Sequence, residues 1–265
     1  LHISIRRQRQ MGIIDSSYTG TVEGDSSEGL GIVRLDGAVV FVPQAIRGEE
    51  IDLRITKVMK TAAAGEIVKI HNLSPERTKP ECPYFGKCGG CDFQHMSYTE
   101  ELWAKRQRVQ DALRRIGGSD VTVEGILSGA PLHYRNKSQY PVGADGAIGF
   151  FQARTHRVVS IDRCLIQSEV SDKTAKAVGD WMKKYKISAY DERTGKGLIR
   201  HIYVRVNKKG ESLCCVIANG KQLPREPELA AFVLAAAPKT VGVVLNTNTK
   251  KGNDILGDKY RTIWG

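Results

Sequence analysis

The chain has 265 residues, 41% of them hydrophobic, and carries 40 Lys and Arg against 29 Asp and Glu, a formal net charge of +11. That composition suits a folded core in one large or two smaller domains. No run approaches the roughly eighteen apolar residues of a membrane span and residues 1–10 lack the apolar middle of a secretory signal, so a soluble, cytoplasmic protein without membrane contact is expected.

The charge is unevenly placed. Residues 13–71 hold six Lys or Arg and nine Asp or Glu, whereas residues 183–209 hold nine basic and two acidic side chains. A basic footprint of this kind favours a polyanionic partner, because clustered cations release counterions from a phosphate backbone on binding it.

Residues 1–12 are read as an unassigned tail. Short strands broken by glycine turns follow at 18–23, 31–35, 38–42, 50–58 and 65–70. Asp36-Gly37 is a type I′ hairpin signal, since both central residues of that turn need positive φ. Five strands in about 55 residues suggest a small all-β barrel of the oligonucleotide-binding kind over residues 13–72, closure removing the exposed edges. The pattern alone also admits an SH3-like barrel. Two prolines among polar residues at 74–80 mark a linker, and a domain boundary is placed at residue 73.

Further along, Ser97 and Glu100 stand in capping-box register. Leu102, Val109, Leu113 and Ile116 then recur at helical spacing until Gly117-Gly118 stops the run. The other face of this helix carries Lys105, Arg106, Arg108, Arg114 and Arg115 and is read as solvated. Helices are expected at 168–185 and 227–236, with hairpin turns at 143–146 and 207–210. Residues 73–265 are therefore read as an α+β domain with an antiparallel sheet under its helices.

Six cysteines without an export signal point to metal ligation rather than disulfides. In Cys82-Pro-Tyr-Phe-Gly-Lys-Cys88-Gly-Gly-Cys91 the two-residue gap lets the Cys88 and Cys91 thiolates face one centre, and the glycines allow the tight turn. Cys164 is the best candidate for the fourth position. Cys214 and Cys215 lie in an apolar stretch and are expected to be packed thiols. Zinc and an iron–sulfur cluster both accept four thiolates, and spacing leaves the two open. The spacing does not fit the three-cysteine pattern of a radical-SAM cluster. His71, His95, His133, His156 and His201 share no ligand spacing and are expected at the surface or satisfied in the core.

These residues resemble the RNA (uracil-5-)-methyltransferases, in particular the bacterial branch acting on 23S rRNA, from about Tyr18 to Gly265. Gly29-Leu-Gly-Ile-Val-Arg-Leu-Asp-Gly37, Val40-Phe-Val-Pro43 and Gly48-Glu49 are similar to that family's TRAM domain. Cys82 to Cys91, continuing through Phe93-Gln-His-Met-Ser-Tyr98, is similar to its cluster motif. Arg200-His201 and Leu245-Asn246 recur in its central domain, whereas Glu101 stands where the family commonly has Gln.

The resemblance implies that Cys82, Cys88, Cys91 and Cys164 ligate a structural [4Fe–4S] cluster, that the partner is RNA, most specifically 23S rRNA, and that the parent enzyme uses S-adenosylmethionine. In that family the nucleophilic cysteine, the carboxylate base and the glycine-rich cofactor turn follow the point where this sequence stops. It therefore implies an N-terminal fragment, inactive alone, with no catalytic or S-adenosylmethionine-binding residue. A freestanding RNA-binding module with a structural zinc or iron–sulfur site is the competing reading.

Overall fold

The computed structural model describes residues 16–265; the tail at 1–12 and residues 13–15 of the expected barrel lie outside the described residues. The chain divides into two compact units. One comprises the described residues up to Pro83 together with Cys91–Ser128, the other Tyr84–Gly90 with Gly129–Gly265. The division differs from the boundary expected at residue 73: the segment from Cys91 and the helix after it belong with the barrel.

In the first unit, β1 (Ser17–Asp25), β2 (Leu30–Leu35), β3 (Ala38–Pro43), β4 (Glu50–Val58) and β5 (Ala62–Ile70) close into a barrel of order β1-β2-β3-β5-β4. Period-two alternation builds its interior. Val33, Val40, Val42, Ile51 and Leu53 point inward and are almost fully buried, each such side chain contributing about 1.5–3 kcal/mol. At the β2–β3 turn Asp36 and Gly37 take φ of 47° and 79°, the double positive φ of a primed hairpin turn. A parallel pairing of β3 with β5 closes the barrel.

The helix after the cysteine segment, α1 (Tyr98–Arg115), starts where expected because the Ser97 hydroxyl accepts a hydrogen bond from the Glu100 amide at 3.1 Å. Only half of the capping box forms. The Ser97 amide donates instead to the Glu76 carbonyl at 2.7 Å, and the Glu100 carboxylate receives Arg47 at 3.2 and 3.3 Å.

The second unit holds β6 (Lys137–Pro141), the β7 (Gly149–Phe151) and β8 (Val158–Ser160) hairpin, α2 (Glu169–Tyr185), β9 (Ile199–Val206), β10 (Ser212–Ala218), α3 (Glu226–Ala236), β11 (Thr240–Thr247) and β12 (Lys259–Trp264). Its main sheet runs β12-β11-β10-β9-β6. The expectation of an antiparallel sheet needs correction here: β10 and β11 pair in parallel. The physical reason is α3, which carries the chain back along the sheet so that β11 starts from the same end as β10. Ile202, Val204, Val216 and Leu245 from the sheet meet Val178, Trp181, Leu229 and Val233 from the helices in one core. The Trp181 indole is satisfied by the Arg225 carbonyl at 3.1 Å. Among the described residues no helix is long and apolar enough to cross a membrane.

Candidate metal centre and nucleic-acid surfaces

In the first unit, the stretch leading to Cys82 is anchored by Glu49, which is fully buried at the end of the β3–β4 connection. Arg77 donates to both Glu49 carboxylate oxygens at 2.6 Å, and the amides of Ile46 and Ser74 donate at 3.0 and 3.2 Å. Burial pushes the Glu49 carboxyl up, but Arg77 and the two amides outweigh it and hold the group below its ordinary value. The Gln94 side chain accepts from the Cys82 amide at 3.3 Å. His95 is buried beside this segment. Desolvation, reinforced by Arg77, lowers its pKa to about 4, so its imidazole is neutral at physiological pH.

In the second unit, the Cys88 amide donates to the Tyr84 carbonyl at 2.8 Å and the Gly89 amide to the Phe151 carbonyl at 2.9 Å. A Cβ on Gly89 would lie 2.8 Å from the backbone of Ala153, so only glycine lets the turn press against β7. Tyr84 ties this turn to the Cys164 loop: its hydroxyl donates to the Asp162 carboxylate at 3.3 Å and accepts from the Asp162 amide at 3.2 Å.

The Cys164 loop is braced from below. Asp172 on α2 accepts from the Cys164 amide at 2.8 Å with one oxygen and from the Tyr140 hydroxyl at 2.7 Å with the other. The buried Gln167 side chain accepts from Ser138 at 2.6 Å, while its carbonyl receives His133 Nδ1 at 2.8 Å. Burial pushes the Cys164 thiol up. Backbone donors from Ile166 and Gln167 oppose this, and the charges of Asp172 and Cys88 add to it.

The cysteines expected as ligands divide between the units: Cys88 and Cys164 lie in the second, Cys82 and Cys91 in the first. Among the described residues no three His, Cys, Asp or Glu side chains form a metal-holding group. The donor chemistry fits a thiolate-bound centre, since all four are half-buried cysteines outside any disulfide among the described residues and the Gly89 turn leaves no room for a side chain. Cys214 and Cys215 are core residues, as expected. Burial pushes both thiols up, Cys215 to about 11, which suits packing rather than ligation. Spacing alone marked the cysteines, but the brace of Asp172 and Tyr140 had no sequence signal, because its members come from a strand and a helix more than thirty positions apart.

The basic residues divide as well. On α1, Arg106 donates to the Val123 carbonyl at 2.8 Å and Arg108 to the Ser27 carbonyl at 3.1 Å, so this face is partly structural rather than simply solvated. Arg47 lies 3.8 Å over the Trp103 ring. Among the histidines, His71 pairs with Asp52 at 2.9 Å and His156 with Glu192 at 2.8 Å. His201 departs from the expectation of a satisfied side chain: it is buried, and its Nδ1 has no hydrogen-bond partner among the described residues.

With this geometry in view, the comparisons with known proteins are specific. Residues 17–68, the whole barrel but for its last two residues, match the family model of the TRAM domain. Over 95% of its length the chain is 39% identical to a Clostridium tetani protein named as an uncharacterized RNA methyltransferase, and over 92% it is 38% identical to a Halalkalibacterium halodurans protein named likewise. It spans about half the length of these relatives, 56% and 55%. Its fold matches the crystal structure of Pyrococcus abyssi tRNA (uracil-54, C5)-methyltransferase in complex with S-adenosyl-L-homocysteine, with a TM-score of 0.69 over 92% of this chain and 55% of that one at 22% identity. That likeness is one of fold.

Proposed function

We propose that this chain supplies the RNA-binding and thiolate-bound portion of an S-adenosylmethionine-dependent RNA (uracil-5-)-methyltransferase acting on 23S rRNA. The observation that carries the reading is the continuous likeness, over 95% of the chain at 39% identity, to a protein named as an RNA methyltransferase. The TRAM match over the barrel supports a role in RNA binding. In this reading Cys82, Cys88, Cys91 and Cys164 hold a [4Fe–4S] cluster, which when bound crosslinks the chain and leaves the methyl transfer to other groups. No residue of this chain is assigned to S-adenosylmethionine or to the uracil.

Deleting the gene that encodes the chain and quantifying nucleosides by mass spectrometry tests the reading. The expected result is loss of one 5-methyluridine from 23S rRNA, restored by complementation. Loss from tRNA instead would overturn the 23S assignment alone. Unchanged 5-methyluridine in both RNAs would overturn the methyltransferase reading.

A further inference from the structure

We propose that the second unit carries a pocket for one unpaired RNA nucleobase with its adjoining phosphate, on the face of the main sheet opposite its helices. The proposal rests on the reading of the chain as RNA-binding and adds a base-accepting site to it. Along β9 the side chains alternate: Ile202, Val204 and Val206 enter the core under α2 and α3, which sends His201, Tyr203 and Arg205 to the other face. There they pair in register with Pro141, Gln139 and Lys137 of β6.

A cavity of about 530 Å³ opens at this place, lined among others by Arg135, Lys137, Gln139, Phe150, Phe151 and His201. Its size falls within the roughly 300–1,000 Å³ in which small ligands are held. Three kinds of group converge on it, and together they describe a nucleotide. The half-buried Phe151, whose ring also stacks with His156 at 5.4 Å, is suited to stack on a base, and Phe150, packed against Tyr140 and the core, forms an apolar wall beside it; stacking is indifferent to which base is presented. Gln139 and His201 offer polar atoms for a base edge. The His201 Nδ1 is buried without a partner among the described residues, a state that costs free energy until a ligand satisfies it. Burial, with Arg200 alongside, lowers the imidazole pKa to about 4, so at neutral pH the ring is uncharged and can both donate and accept.

Arg135 and Lys137 are exposed at the rim, and among the described residues neither forms an ion pair, Lys137 lying 6.0 Å over the Tyr203 ring. They stand where a phosphate beside a stacked base would lie. A paired base fits poorly, because its edge is engaged and its faces are already stacked.

The test uses the whole chain and two labelled RNAs: a hairpin with an unpaired uridine loop, and the same stem as a closed duplex. Binding is read by fluorescence anisotropy at several salt concentrations. Phe151→Ala should weaken binding of the looped RNA by roughly tenfold, the scale of one base stack, and leave the duplex within about twofold. Arg135→Ala combined with Lys137→Ala changes only exposed side chains. It should lower the salt slope by about 0.7 for each phosphate that is no longer neutralised.

With 4-thiouridine in the loop, near-ultraviolet crosslinks should map to peptides containing Phe150, Phe151 or His201. If both variants bind the looped RNA as the unaltered chain does, or the crosslinks map elsewhere, the pocket is not a base site although the RNA-binding reading stands. If the unaltered chain binds neither RNA, both readings fail.

Discussion

Asp25 closes β1 with both carboxylate oxygens buried and without hydrogen-bond partners among the described residues. Burial, then the nearby Glu100, pushes its pKa up from 3.8 to about 6, against the opposing pull of Arg47. A carboxyl raised in this way binds more protons folded than unfolded, so its contribution to stability is fully present below pH 3.8 and is lost as pH rises through about 6. The cost at neutral pH is at most about 3 kcal/mol, and solvent screening of a partly exposed group reduces it to roughly 1. Asp25→Asn should therefore stabilise the chain by about that much at pH 7 and by progressively less toward pH 4, measured in urea melts. An equal gain at both pH values would mean that the carboxyl charge is not the cause. Asp172 poses the opposite case, since both its oxygens are used. Asp172→Asn turns an N–H donor toward the Cys164 amide or the Tyr140 hydroxyl, and should cost about 1–3 kcal/mol in the same melts. Iron bound by the anaerobically reconstituted chain should fall with it; a variant with full stability and full iron content would show that the brace is dispensable.

Among the local elements, the turn at Cys88-Gly89-Gly90-Cys91 discriminates between its two glycines. A methyl group on Gly89 would meet the Ala153 backbone at 2.8 Å, whereas one on Gly90 would stand 3.4 Å from the Cys88 sulfur, an ordinary contact. Gly89→Ala is therefore expected to shift the turn away from β7 and reduce iron incorporation severalfold, with Gly90→Ala close to the unaltered chain. Iron and acid-labile sulfide per chain, with the visible absorption of the sulfur-to-iron charge-transfer bands, read the difference. Equal loss in both variants would show that any added carbon, rather than the Ala153 contact, disturbs the turn. The elements that define the barrel and helices were legible from sequence at nearly residue precision. The expected strand at 50–58 is β4 itself, and the helix announced by Ser97 begins at Tyr98. Alternation, positive-φ turns and caps are local properties, decided within a few residues of where they act.

For the whole molecule, a cluster shared by Cys91 and Cys164 would close a loop of more than seventy residues and restrict the unfolded chain accordingly. The anaerobically purified chain should be brown, and Cys88→Ala or Cys164→Ala should bleach it and lower the melting temperature by several degrees. A colourless chain with stoichiometric zinc would keep the thiolate centre and reject the cluster; an apo form that melts with the loaded one would reject a structural role for it. The sequence by itself determined the barrel, the helices and the cysteine spacing, because each depends on residues adjacent in the chain. Only the tertiary structure decided the rest. It placed α1 with the barrel through Arg47 and Glu100, and it turned β10 and β11 parallel across α3. It set Asp172 under Cys164 and left the His201 ring at a pocket beside Phe150 and Phe151. In each of these cases the partners lie eight to fifty-three or more residues apart, and what joins them is the burial of a shared face, which no local pattern of residue types encodes.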